Sequence, residues 1–321
     1  MKNRIKGVVL LFITAFIWGT AFVSQRLGTD IVSPFTFSAT RMLLGAFTLL
    51  PVIIIKDLVE RKRQPLKRTT PEERSAVIKK TITSGLLIGV AFCLAANLQQ
   101  YAFVYSSAGK IAFITSSYVL IVPFLSLIFG KKISAVTWIS VSLGTVGLFL
   151  LCVDVKEFDG VNFGDVLAII CAVCFAVHIL LIEKLSVGLD GVKISCLQFF
   201  VGGVVSLILM FIFEKPSFSA IKNAWLYIAY AGVLSCGVAY TLQIVGQKYV
   251  EASFATLIMS MESVFAVIAS AIIVPEEPLS IEEIIGCVVM FAAIVLPCVY
   301  DIIKNKKEKT AKTVGSEESG S

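Results

Sequence analysis

Ten apolar runs dominate this chain, at about residues 6–26, 34–55, 81–104, 108–129, 134–153, 163–183, 192–213, 222–246, 252–273 and 280–303. A helix needs about 20 apolar residues to cross a bilayer core. None of the runs alternates with a period of two, so they read as helices rather than barrel strands. The composition agrees: 57% of the 321 residues are hydrophobic and 16% are charged. A soluble domain carries about 45–50% and about 25%. These values exclude a soluble globular or disordered chain and leave no room for an added soluble domain. The expected fold class is an all-α integral membrane protein with ten transmembrane helices. The first run is too long for a signal peptide and lacks a small-x-small cleavage site, so it is expected to remain in the mature protein.

Charge sets the expected orientation. Lys and Arg favour the cytoplasmic side. With the N-terminus inside, 22 of the 28 basic residues lie on that side and 5 outside, with Arg41 within a span. The expectation is N-in/C-in in the cytoplasmic membrane. Nine of the basic residues fall in a loop, 56–80, where anionic lipid headgroups, not nucleic acid, are the expected partner of the +6 charge. Within that loop Thr70-Pro71-Glu72-Glu73 has capping-box spacing, which allows either a short amphipathic surface helix or a solvated basic linker. Asn162 with Asp165 and Ser280 with Glu283 have the same spacing, and Ser33-Pro34 marks a helix start. The tail, 304–321, is charged and Ser/Gly-rich and reads as disordered. The eight cysteines lie in or beside apolar runs, so no disulfide framework is expected.

The two halves resemble each other. Leu98-Gln99, Ala102, Tyr105, Ala108, Ile114 and Ser116 align with Leu242-Gln243, Gly246, Tyr249, Ala252, Ile258 and Ser260 at a constant offset of 144. Gly7, Val9, Leu10, Ala15, Trp18, Arg41 and Gly45 align with Gly164, Val166, Leu167, Ala172, Phe175, Gln198 and Gly202 at 157. Each half then has five spans. An odd number places the second half upside down, which predicts two inverted-topology five-helix repeats, 1–155 and 160–303. Such architecture puts a substrate site near the midplane at the repeat interface.

Particular motifs point to a family. Ile17-Trp18-Gly19-Thr20-Ala21-Phe22, Ala108-Gly109-Lys110 with Phe113-Ile114-Thr115-Ser116, and Glu262-Ser263-Val264-Phe265-Ala266 followed by Glu276-Glu277-Pro278-Leu279-Ser280 carry the resemblance. Over about residues 5–303 the chain resembles the EamA family of the drug/metabolite transporter superfamily. It departs at Ser263, where Pro is usual, and at Pro275-Glu276, which replace a Gly. The resemblance implies export of amino acids or other small metabolites, with uptake systems also known in the family.

Ionisable groups inside a bilayer are costly and mark functional candidates. Glu262 lies at the centre of the ninth span, where it can bind a substrate amine or exchange a proton; the alternative is a structural carboxyl bonded to Ser, Tyr or Gln. His178, the one histidine, sits in the sixth span; free histidine titrates near physiological pH. Its structural alternative is a neutral ring bonded to a carbonyl or hydroxyl. Cys171, Cys174 and His178 share a face, but without a fourth ligand they make a weak metal motif, and no metal or cofactor is expected. Arg41 can grip a carboxylate in bidentate fashion, pair with an acid, or snorkel outward. Tyr240 and Gln243 on the eighth span, Asn97 and Gln100 on the third, and Trp18 on the first complete the candidate cavity; the amides can equally bond helix to helix.

The leading expectation is a secondary transporter working by alternating access, exporting an amino acid or metabolite, with proton coupling through Glu262 as an option. Uptake of a nutrient or nucleoside, or a non-transporting scaffold or sensor, are the alternatives. No Gly-x-Ser-x-Gly, His-Glu-x-x-His or phosphate loop is present, so no enzyme is expected. Substrate identity, direction and oligomeric state are not written in the sequence.

Overall fold

In a computed structural model the chain is described at residues 2–63, 70–106, 108–152, 160–273 and 280–318. Among these residues the regular structure is entirely helical. The first half contains α1 (Lys2–Thr29), α2 (Pro34–Arg63), α3 (Pro71–Ala102), α4 (Ala108–Ser116), α5 (Tyr118–Ile128) and α6 (Ala135–Cys152). The second contains α7 (Phe163–Leu185), α8 (Gly191–Phe213), a short α9 (Phe218–Asn223) and α10 (Trp225–Ala229). A π-helical stretch, Tyr230–Ala239, then leads into α11 (Tyr240–Gly246), followed by α12 (Ala252–Met259), α13 (Met261–Ile273) and α14 (Ile281–Glu318). Nine segments among the described residues are long and apolar enough to cross a membrane. The tenth predicted run, 280–303, is the first part of α14.

Local chemistry explains where helices start. Thr70 Oγ1 accepts the Glu73 N–H at 3.2 Å, and Glu73 Oε2 accepts the Thr70 N–H at 3.0 Å. Asn162 with Asp165 and Ser280 with Glu283 make the same reciprocal bonds. Each pair satisfies two backbone donors that the first helical turn leaves free.

Two expectations are corrected. The expected loop 56–80 is helical over most of its described residues: α2 runs on to Arg63, and α3 begins at Pro71 and enters the third span without a break, while residues 64–69 lie outside the described residues. Lys, Arg and Glu are good helix formers, so charge ends the apolar run without ending the helix. For the same reason α14 continues to Glu318, through most of the tail expected to be disordered.

Two spans are broken in the middle. α4 and α5 part at Ser117, and α12 and α13 part at Ser260. At each break a serine hydroxyl donates to a carbonyl three residues back: Ser117 Oγ to Ile114 O at 2.5 Å, and Ser260 Oγ to Leu257 O at 2.8 Å. Such back-bonding competes with the helical ladder and bends it.

Packing relies on close approach. A Cβ on Gly19 of α1 would lie 2.5 Å from the Glu262 carbonyl oxygen of α13. Small residues let helices meet this closely where lipid supplies no hydrophobic drive. Some contacts recur in the two halves. Gly7 meets Gly246 and Tyr249, whereas Gly164 meets Ala102 and Tyr105. Gly45 meets Cys236, whereas Gly202 meets Phe92. Large apolar side chains such as Phe47, Ile54, Leu94 and Phe200 point outward, as a lipid-facing surface requires.

Candidate functional site

A narrow cleft opens among α1, α2, α3, α4, α5, α7, α11, α13 and the π-helical stretch. Its wall combines aromatic faces with polar tips. Trp18, Phe22 and Gln25 come from α1, Arg41 from α2 and Gln99 from α3. Thr115 and Tyr118 flank the first helix break, and Glu262 follows the second. Phe175 and Ile179 of α7, Ser235 of the π-helical stretch, and Tyr240 and Gln243 of α11 close the ring. A π-helical turn inside a helix is frequent at functional sites.

Glu262 occupies the first turn of α13 and is 6% exposed. The partial positive charge of a helix N-terminus favours a carboxylate there. The Tyr118 hydroxyl donates to Glu262 Oε1 at 3.0 Å, and the Ser116 hydroxyl reaches the same oxygen at 3.4 Å. Tyr118 is itself the first residue of α5. The two residues are 144 apart, the offset read in the sequence.

Arg41 is the other charge. It is 4% exposed, and its NH1 donates to Gln25 Oε1 at 2.5 Å. The guanidinium lies 5.7 Å from the Phe37 ring centre, and its Nε has no partner. No described carboxylate is within ion-pair distance of it. A buried guanidinium without a counter-ion has donors to spare for a carboxylate. On the same wall the Trp18 and Tyr240 rings lie 4.5 Å apart, and Trp18 Nε1 and Gln243 Oε1 are buried without partners. The wall therefore offers an anion seat, a carboxylate, an aromatic surface and free polar tips.

Of the residues singled out in the sequence, Trp18, Arg41, Tyr240, Gln243 and Glu262 come together here. Three do not line the cleft. Asn97 donates to Cys93 O and to Ser206 Oγ, both at 2.9 Å, which ties α3 to α8. Gln100 donates to Thr29 Oγ1 at 2.6 Å, which ties α3 to α1. His178 pairs through Nε2 with Gln198 Oε1 at 3.1 Å, and its ring lies among Phe92, Phe175 and Tyr240. On α3 the cleft takes Gln99 instead. The repeat carried the missing signal: Gln99 aligns with Gln243, Tyr118 with Glu262, Phe175 with Trp18 and Ile179 with Phe22, and all eight line the cleft. Among the described residues no group of three His, Cys, Asp or Glu side chains is arranged to hold a metal ion.

Comparison with known proteins decides the family. The model of the EamA-like transporter family matches residues 5–153 and again 162–297. The chain belongs to the EamA-like transporter family. A relative from Clostridium kluyveri, named an uncharacterized transporter, is 25% identical over 97% of both chains. Another so named, from Archaeoglobus fulgidus, is 25% identical over 92% of this chain and 86% of its own. The uncharacterized transporter YoaV of Bacillus subtilis is 23% identical over 82% and 86%. A solved crystal structure shares the fold with a TM-score of 0.71 over 92% of this chain and 96% of its own, at 16% identity. The chain is thus a multi-pass helical membrane protein of a transporter family.

Proposed function

We propose that this family member is a ten-span secondary transporter of the cytoplasmic membrane, N-in/C-in, that exports amino acids or closely related small metabolites by alternating access. The observation that carries the proposal is the cleft, which sets a buried, uncompensated Arg41 and a buried Glu262 around an aromatic surface. A zwitterion suits that wall. Its carboxylate would be gripped by Arg41, and its ammonium would be accepted by Glu262 and the free Gln243 carbonyl oxygen. Among the described residues Glu262 is also the one carboxylate on the wall able to exchange a proton with cargo in passage, which makes it the coupling residue.

The inverted repeat, 1–155 and 160–303, is the part that makes two access states equivalent. Its support is the recurrence of contacts under the offsets of 157 and 144. Gly7 against Gly246 and Tyr249 becomes Gly164 against Ala102 and Tyr105 when the halves are exchanged. The helix breaks at Ser117 and Ser260, one residue off the 144 offset, support it too, because discontinuous helices at the repeat interface build such sites. The basic residues of 56–80 and of the tail then face anionic headgroups inside.

The test uses purified protein in liposomes loaded with a mixed metabolite extract, with mass spectrometry of what leaves, with and without a pH gradient. Selective loss of amino acids is expected, and loss no greater than from empty liposomes would refute export.

A further inference from the structure

Two helices of opposite halves are tied together near both of their ends. α2 and α8 lie antiparallel, with the end of each beside the start of the other. At one end Lys193 of α8 pairs with Asp57 of α2 at 2.8 Å. Beside it Lys56 pairs with Asp190 at 2.8 Å, while Asp190 also accepts the Val192 N–H at 2.9 Å and caps α8. At the other end Glu214, just past α8, accepts the N–H groups of Phe35 and Thr36 at 2.8 Å each and the Thr36 hydroxyl at 2.7 Å. These clamps correspond. Thr36 and Lys193 are 157 residues apart, and so are Asp57 and Glu214. In both, an acid holds the first turn of the partner helix: Asp57 two turns before the end of α2, and Glu214 just past α8.

Between the clamps the helices are in close contact. A Cβ on Gly203 would lie 3.1 Å from the backbone nitrogen of Leu43, and Cys196 Sγ donates to Ala46 O at 3.6 Å. α2, with Pro51 in its interior, and α8 each run as one continuous helix, whereas the breaks and the π-helical stretch lie in the spans around them. Of the two, α2 gives only Arg41 to the cleft and α8 gives nothing.

From this we infer that α2 and α8 form a rigid axle, clamped at both membrane faces, about which the cleft-forming spans move. The inference rests on the transporter reading above. It separates these ion pairs from gates. Gates of an alternating-access protein open in turn, whereas the clamps of an axle stay closed together, as both are here. The unequal anchoring then has a physical purpose: Arg41 stays on the fixed part, and Glu262, behind a helix break, rides on a moving one.

The experiment measures distances by double electron–electron resonance on the full chain in nanodiscs. Nitroxides are attached to a ketone-bearing amino acid, which leaves the native cysteines untouched. One pair, at Leu58 and Phe213, spans the axle from end to end. A second, at Leu58 and Ile128, runs from the axle to the end of α5. All three positions are exposed. Spectra are taken at acidic and neutral pH, with and without a mixture of free amino acids. The expected result is one unchanged narrow distance for Leu58–Phe213 and a shifted or second distance for Leu58–Ile128. A shift in the Leu58–Phe213 distance overturns the axle while leaving transport standing. No movement in either pair overturns both. In Asp57→Asn with Glu214→Gln the Leu58–Phe213 distribution should broaden; a distribution as narrow as the wild type's would show that the clamps are not what holds the axle. Should that variant not fold, the wild-type pairs decide alone.

Discussion

Gly19→Ala is a small change with a calculable consequence. The added Cβ would sit 2.5 Å from the Glu262 carbonyl oxygen, 2.5 Å from Phe265 Cβ and 2.8 Å from the Ala266 nitrogen. Two of these are backbone atoms of α13, so no rotamer change relieves the clash. To reach ordinary contact at 3.4 Å, α13 must withdraw by about 0.9 Å. Overpacking of this kind costs about 1–3 kcal/mol, and better helix propensity returns up to about 1 kcal/mol. The net loss of about 1–2 kcal/mol corresponds to roughly 1.5–3 °C in Tm for a chain of 321 residues. The clash falls on the backbone of Glu262 itself, so transport should fall more than stability does. Gly237→Ala is the control. Its Cβ meets nothing nearer than 3.6 Å, so stability should hold or rise by up to about 1 kcal/mol. The assay is thermal unfolding in detergent followed by flux in liposomes. Equal Tm values for Gly19→Ala and the wild type would refute the close approach of α1 and α13.

Further outcomes follow from the same geometry. Glu262→Gln should abolish the pH-gradient dependence of flux while the protein stays folded; unchanged dependence would remove Glu262 from coupling. Arg41→Lys keeps the charge but loses the planar fork, so KM for a carboxylate cargo should rise about 10- to 100-fold, the equivalent of one lost charge-assisted bond of about 1.5–3 kcal/mol; an unchanged KM would mean that Arg41 does not seat the cargo. Burial opposes the charge on Asp190, yet the Lys56 pair and the Val192 N–H outweigh it and hold its carboxyl below the usual Asp range. The stability this supplies is present above the unfolded-state pKa and is lost as pH falls through the lowered folded one. The Tm gap between wild type and Asp190→Asn should therefore close on acidification below the ordinary Asp range, and a gap constant with pH would contradict the pairing. Thiol labelling of introduced cysteines should reach positions near 158 from outside and near 188 from inside, and the reverse pattern would sink the orientation.

Legibility varied with the range of the physics involved. Spans were readable because burying backbone in hydrocarbon leaves few options, and helix starts at Thr70, Asn162 and Ser280 because capping is local. The length of α2 was not readable, since its charged end is as helix-forming as its apolar middle. Face choice was harder still. Asn97, Gln99 and Gln100 are neighbours, and which one meets the cleft depends on the rotation of α3 against α7 and α8, a tertiary property. Gln99 and Tyr118 were nevertheless within reach through the offset of 144, which pairs them with Gln243 and Glu262. The breaks at Ser117 and Ser260 leave no mark in the sequence, because serine in an apolar run usually signals helix packing, and only its back-bonded rotamer bends the chain.

Alternating access is the centre of this account, and Ser235 tests it most directly, because it lies on the cleft wall and is 2% exposed. Ser235→Cys protein in liposomes would be treated with a membrane-impermeant thiol reagent from outside in one sample and from the lumen in another. Modification would be read by mass spectrometry of the peptide bearing residue 235. The account predicts reaction from both faces, slowed from both by the transported amino acid. Reaction from one face only, or from neither, would contradict it.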